Sequence, residues 1–124
     1  MNEHTMSLSE QFDQYSTDQL VKLLNSRSKL QRVHALTALV RRSRQNETLI
    51  DYVLKAITDP KNMNVRLMGT ISVSHVAVAS LLQVGDSKAK GLVKRLLKTW
   101  PEPDRSDLLW YLKSENLSVD EIEE

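Results

Sequence analysis

Moved 43 residues along itself, the sequence sets apolar residues on apolar residues through two consecutive helical patterns. Val33 falls on Val76 and Leu39 on Leu82, while Leu49, Ile50, Val53 and Leu54 fall on Leu92, Val93, Leu96 and Leu97. Lys55 falls on Lys98 and Ile57 on Trp100. A unit recurring at such a period is a supersecondary element that cannot bury its apolar face alone and has to stack on its neighbours. A second register, shifted by 34, sets Arg32 on Arg66 and implies an insertion within residues 64–84.

The repeated pattern is helical. Leu30, Val33, Leu36 and Val40 follow helix spacing over residues 29–43, and Leu49, Ile50, Val53, Leu54 and Ile57 form an i, i+1, i+4, i+5, i+8 stripe. Start signals precede these runs. Ser7 and Glu10 have capping-box spacing for a short first helix; Ser16 or Thr17, with Gln19, caps the next, which carries Leu20, Val21, Leu23 and Leu24. Asn46 can cap the helix that Thr58-Asp59-Pro60 ends. Residues 64–84 are apolar nearly all round, which suits a helix in the middle of a bundle or solenoid. Their β-branched residues make a strand the competitor, and Gly69 marks a possible kink, but the length without turn signals favours helix. Gly85-Asp86-Ser87 stops that segment and caps a helix with Leu92, Val93, Leu96 and Leu97, closed by Trp100-Pro101. Asp104 or Ser106 starts a last helix with Leu108, Leu109, Tyr111 and Leu112; Ser118 and Glu121 again have capping-box spacing. With only three glycines and three prolines, helices joined by short loops follow.

The fold class read from this is all-α, an α-α superhelix of about three helix pairs, with an irregular helical bundle as the alternative. Asp59-Pro60, then Val65-Arg66, a helix of small residues, and Gly85-Asp86 opening the next helix resemble the repeat signature of the HEAT family (armadillo-like α-α superhelices). The resemblance spans residues 17–113, with an acidic tail or short helix at 1–16 and an acidic tail at 114–124. It implies a superhelix that presents a surface to a protein partner, and it does not imply a catalytic residue.

Composition narrows the chemistry. Without cysteine there are no disulfides, no thiol nucleophile and no thiolate metal site. The first ten residues have neither a basic nor an apolar signal-peptide region, and the longest uncharged run, 67–84, holds too many polar groups for a lipid-facing span. A cytoplasmic chain is expected. His4 falls in the N-terminal tail, His34 on a half-exposed stripe with Ala38 and Arg41, and His75 on the face of Met68, Ile71, Val78 and Leu82. No carboxylate lies within helical reach of His34 or His75, so each reads as a structural histidine and not a metal ligand or base. Gly69, Gly85 and Gly91 are isolated and form no phosphate loop. No enzyme, metal or cofactor is expected.

Charge is distributed unevenly. Residues 19–98 hold 15 Lys and Arg against four acids, between acidic ends. Three groups stand out: Arg27, Lys29 and Arg32; Arg41, Arg42 and Arg44; Lys88, Lys90, Lys94, Arg95 and Lys98. They are solvated faces or, in a solenoid that stacks equivalent positions, an anion-binding ridge. Trp100, Trp110 and Tyr111 flank the Pro101-Glu102-Pro103 corner, as core caps or as interface anchors. The expected function is a non-catalytic adaptor or regulatory module that binds another protein. The alternative is a nucleic-acid binder that uses the basic body without sequence preference.

Overall fold

Helices begin where the sequence offers caps. The computed structural model describes residues 7–117; His4, the Ser118–Glu121 spacing and the outer parts of both acidic tails lie outside the described residues. Ser7 accepts from the Glu10 amide to open α1 (Leu8–Asp13), and Ser16 with Gln19 forms a full capping box for α2 (Thr17–Leu23). Ser28 caps α3 (Lys29–Ser43), and α4 (Leu49–Ile57) follows. Asn46, the expected cap, instead accepts from the Thr48 amide and hydroxyl and shapes the preceding turn, and α4 starts two residues later, after Thr48, without a side-chain cap. Asp59 caps, and Pro60 opens, the four-residue α5 (Pro60–Met63).

The long helix expected over 64–84 is corrected. Its first part is a hairpin of β1 (Arg66–Met68) and β2 (Ile71–Ser72), and only Val73–Val84 is helix, α6. Two facts explain this. Gly69 has φ +54° and is the one residue of the Gly69-Thr70 turn with positive φ, the pattern of a tight hairpin loop. Ser72 then accepts from the His75 amide while the His75 side chain accepts from the Ser72 amide, so the helix starts afresh there. Gly85, at φ +80°, ends α6 in the left-handed conformation that lacks a Cβ penalty. Asp86 caps α7 (Ser87–Thr99), and α8 (Asp104–Ser114) completes the chain's eight helices among the described residues.

The architecture is predominantly helical. α3 packs most extensively against α6, with α1, α2 and α4 around α3, and with α5, α7, α8 and β2 around α6. Leu36, Leu39 and Val40 of α3 and Val73, Val78 and Leu81 of α6 are fully buried in one core cluster. Each such side chain contributes about 1.5–3 kcal/mol by leaving water. Ala35, Ala38 and Ala77 keep the central helices close, and Ser74 reaches 2.6 Å to the Ile57 carbonyl, satisfying the end of α4.

Two helix hairpins, α3–α4 and α6–α7, recur in order, but their buried faces align best in another register. Leu49, Val53 and Ile57 match Ala89, Val93 and Leu97, all buried, 40 residues apart. The 43-residue shift instead pairs buried Val53 with half-buried Leu96. The difference is nearly one helical turn, and a slide of one turn preserves apolar matching. Likewise Arg32 sits in a helix and Arg66 in a strand, so the 34-residue register joins unlike elements.

Candidate functional site

Two polar junctions lie inside the helical body. At the first, Arg32 is only 5% exposed. Its Nε donates to Asn62 Oδ1 at 2.9 Å, Nη1 to the Ser26 and Arg27 carbonyls at 2.8 and 3.1 Å, and Nη2 to the Lys61 carbonyl at 3.3 Å. Asn62, also buried, donates to the Ala56 carbonyl at 2.8 Å. One guanidinium therefore ties α3 to the turn after α2 and, through Asn62, to the end of α4. Its five fixed donors suit a cluster of carbonyls.

At the second, the first residue of α8 gathers three elements. Asp104 Oδ2 accepts from Trp100 Nε1 at 2.6 Å and from His75 Nε2 at 3.0 Å. Arg66 Nη1 lies 2.8 Å from Oδ1 as an ion pair without hydrogen-bond geometry. The Ser72 amide donates to His75 Nδ1 at 3.3 Å, so the proton of the neutral ring sits on Nε2. The imidazole is fully buried with both nitrogens engaged. Burial lowers its pKa below 6.5; the hydrogen bond and charge of Asp104 and the charge of Asp107 oppose this, Arg66 adds to it, and the net direction is down. Burial pushes the Asp104 carboxyl up, but Trp100, His75 and Arg66 outweigh it and hold the group below 3.8. The carboxylate that the sequence did not place beside His75 thus comes from 29 residues away.

The basic candidates separate. Arg32 is turned inward and is withdrawn from any binding surface. Arg42 donates to Thr17 Oγ1 and to the Asp13 and Tyr15 carbonyls, holding the α1–α2 turn. Arg41 pairs with Asp13 at 2.7 Å, Lys88 with Glu47 at 2.9 Å, and Lys29 donates to the Arg66 carbonyl at 2.8 Å. Arg27, Arg44, Lys90, Arg95 and Lys98 are exposed, and Lys94 is half-buried. Arg44 and Lys88 meet at one cavity beside Glu47 and Asp86, whereas Arg27 and Lys29 stand at the far end of α3. The three groups do not merge into one ridge.

The aromatics also divide. Trp100 is buried at the Asp104 junction and Tyr111 is half-buried, but Trp110 is 65% exposed. Met68, the last residue of β1, is 67% exposed; the sequence pattern set it on one helix face with His75, Ile71, Val78 and Leu82, and the hairpin takes it off that face.

A trough runs between α3 and α6. One cavity of about 300 Å³ is walled by residues that include Leu67, Val76 and Tyr111. A second, of about 580 Å³, is walled by Arg44, Gln45 and Val84. Arg41, Ser80 and Gln83 line both. His34 lines the first; burial, then the Arg41 charge, lower its pKa. Tyr111 is shifted up by burial and by Glu115. Among the described residues, no group of three His, Asp or Glu gathers as a metal site, and no helix is long and apolar enough to cross a membrane.

No family model, curated protein or solved structure matches the chain significantly.

Proposed function

We propose that the chain is a non-catalytic protein-binding module of HEAT-like helix pairs, an adaptor or regulatory element. The observation that carries this reading is Trp110. Its indole is 65% exposed on α8 while Leu108 and Leu112 of the same helix are fully buried. A solvated tryptophan on a rigid, core-anchored helix is the residue type that dominates binding energy at protein interfaces. Met68 adds a second exposed apolar side chain on the hairpin that packs against α8. The histidine chemistry supports the same reading, since both His75 nitrogens are engaged inside the fold.

Affinity capture from cells expressing the tagged chain tests it, comparing wild type with Trp110→Asp. The expected result is a partner depleted at least about tenfold by the substitution, as an interface anchor worth 1.4 kcal/mol or more requires. The substitution should leave the melting curve within about 0.5 kcal/mol of wild type, as expected for a surface site. Equal recovery of every captured protein would overturn the proposal.

A second reading, backbone-directed nucleic-acid binding, is favoured by one observation. The solvent side of α7 carries Lys88, Lys90, Lys94, Arg95 and Lys98, and the helix contains no acid. Such binding weakens steeply with salt because counterions are released. An anisotropy titration of labelled single- and double-stranded DNA checks it: saturable binding must persist at physiological salt and fall when Arg95 and Lys98 are replaced by glutamate.

A further inference from the structure

We propose that the trough between α3 and α6 docks an extended segment of a partner protein that carries carboxylates at one end and an apolar side chain at the other. This deepens the protein-binding reading and rests on it.

The trough exists because of side-chain size. Thr37 of α3 and Val76 and Ser80 of α6 are short and half-buried along the trough, with buried Ala79 beneath them, while Leu36, Leu39, Leu81 and Leu82 turn into the core. The two cavities adjoin across three shared lining residues, Arg41, Ser80 and Gln83. Along α6 the trough runs from Val76 to Val84, about 12 Å at helical rise. That accommodates about four residues of extended chain.

Its ends differ chemically. Leu67, Val76 and Tyr111 make the first end apolar, and exposed Arg44 makes the second cationic, while Arg41, shared by both, is neutralised by Asp13. No acid is among the lining residues. Acids near the cationic end are already engaged: Asp13 holds Arg41, Lys88 holds Glu47, and Asp86 accepts from the Ala89 amide. Arg44 is exposed, and its guanidinium offers the planar fork that binds a carboxylate through two parallel hydrogen bonds. The His34 pKa is lowered and Arg41 is paired with Asp13, so Arg44 supplies the positive charge. A protein segment fits better than a nucleic-acid strand. A strand needs aromatic platforms for its bases, and half-buried Tyr111 is the only Phe, Tyr or Trp on the walls.

The test is selection of phage-displayed random dodecapeptides on the full chain, run in parallel on Arg44→Glu and on Gln83→Trp. Both positions are exposed, so each variant keeps the fold; one reverses the charge and the other fills the shared floor. The expected outcome is an enriched motif with two or more acids and an apolar residue within four to five positions, lost on both variants. A representative fluorescein-labelled peptide should bind Arg44→Glu at least about tenfold more weakly than wild type. No enrichment on wild type, a motif without acids, or a motif that both variants retain would overturn the proposal. Binding of a labelled single-stranded oligonucleotide that Arg44→Glu abolishes, with no peptide enriched, would also overturn it and assign the trough to nucleic acid. If Trp110-dependent capture survives while the peptide selection fails, the docking site is wrong and the protein-binding reading stands. If both fail, the reading itself is wrong.

Discussion

The Arg32 and Asp104 junctions solve the same problem with opposite charges. Each pins irregular connections onto the central helices, where loops alone supply little apolar contact. Arg32 faces only neutral acceptors, namely three carbonyls and Asn62. Asp104 faces Arg66, His75 and Trp100, so one of its partners titrates. A guanidinium stays charged at every accessible pH, whereas an imidazole–carboxylate contact does not. The first junction is therefore fixed, and the second is conditional on proton concentration.

The largest expected effect breaks the fixed junction. Arg32→Met leaves Asn62 and the Ser26, Arg27 and Lys61 carbonyls without their donor, and should cost about 3 kcal/mol in urea unfolding at pH 7. Asp104→Asn keeps an acceptor for Trp100 but loses the charge that pairs with Arg66, and should cost about 2 kcal/mol. A denaturation series in which the two costs are reversed would show that the neutral cluster is the weaker clamp.

Acid sharpens the contrast. His75 has its folded pKa lowered from 6.5, so the stability its neutral form provides is complete above pH 6.5 and is lost as pH falls from there through the folded value. Asp104 has its folded pKa lowered from 3.8, so its contribution is complete above pH 3.8 and is lost below the folded value. Thermal melts should therefore fall in two steps on acidification. His75→Gln should shrink the upper step to the part that His34, also lowered from 6.5, contributes, and Arg32→Met should keep both steps. Loss of the upper step in Arg32→Met would mean that the junctions are not independent.

The smallest effect comes from Gly91, which touches neither junction. It lies inside α7, and an added Cβ would meet nothing within 4 Å. Gly91→Ala should stabilise by about 1 kcal/mol through helix propensity, a rise of about 4 °C in Tm for a chain of this size. The same change in an Arg32→Met background should add, since distant sites are independent.

Local signals were legible and long-range ones were not. The limits of α3, the Ser16–Gln19 box and the Gly85-Asp86 stop follow from caps and period, which act over one turn of chain. The hairpin escaped because its strands are only three and two residues long, too short to show period two, and a lone glycine is a weak turn signal. Asp104 escaped as a partner for His75 because only tertiary packing brings α8 onto α6. Arg32 was readable in part: it recurs with Leu36, Leu39 and Ser43 at i, i+4, i+7 and i+11, a stripe that is buried throughout. A basic residue in that register points inward. The trough was not readable at all, since it depends on which short side chains of two distant helices face each other.

Ser72 closes the hairpin as the last residue of β2 and also caps α6. Strand register and helix phase are thereby geared to one residue. A one-residue slip in the hairpin would turn α6 by about 100° about its axis and swap the faces of β2. His75 would swing away from Asp104, and the seam against α3 would open. Correct pairing of five strand residues thus acts as the index mark that sets the rotation of the whole central helix.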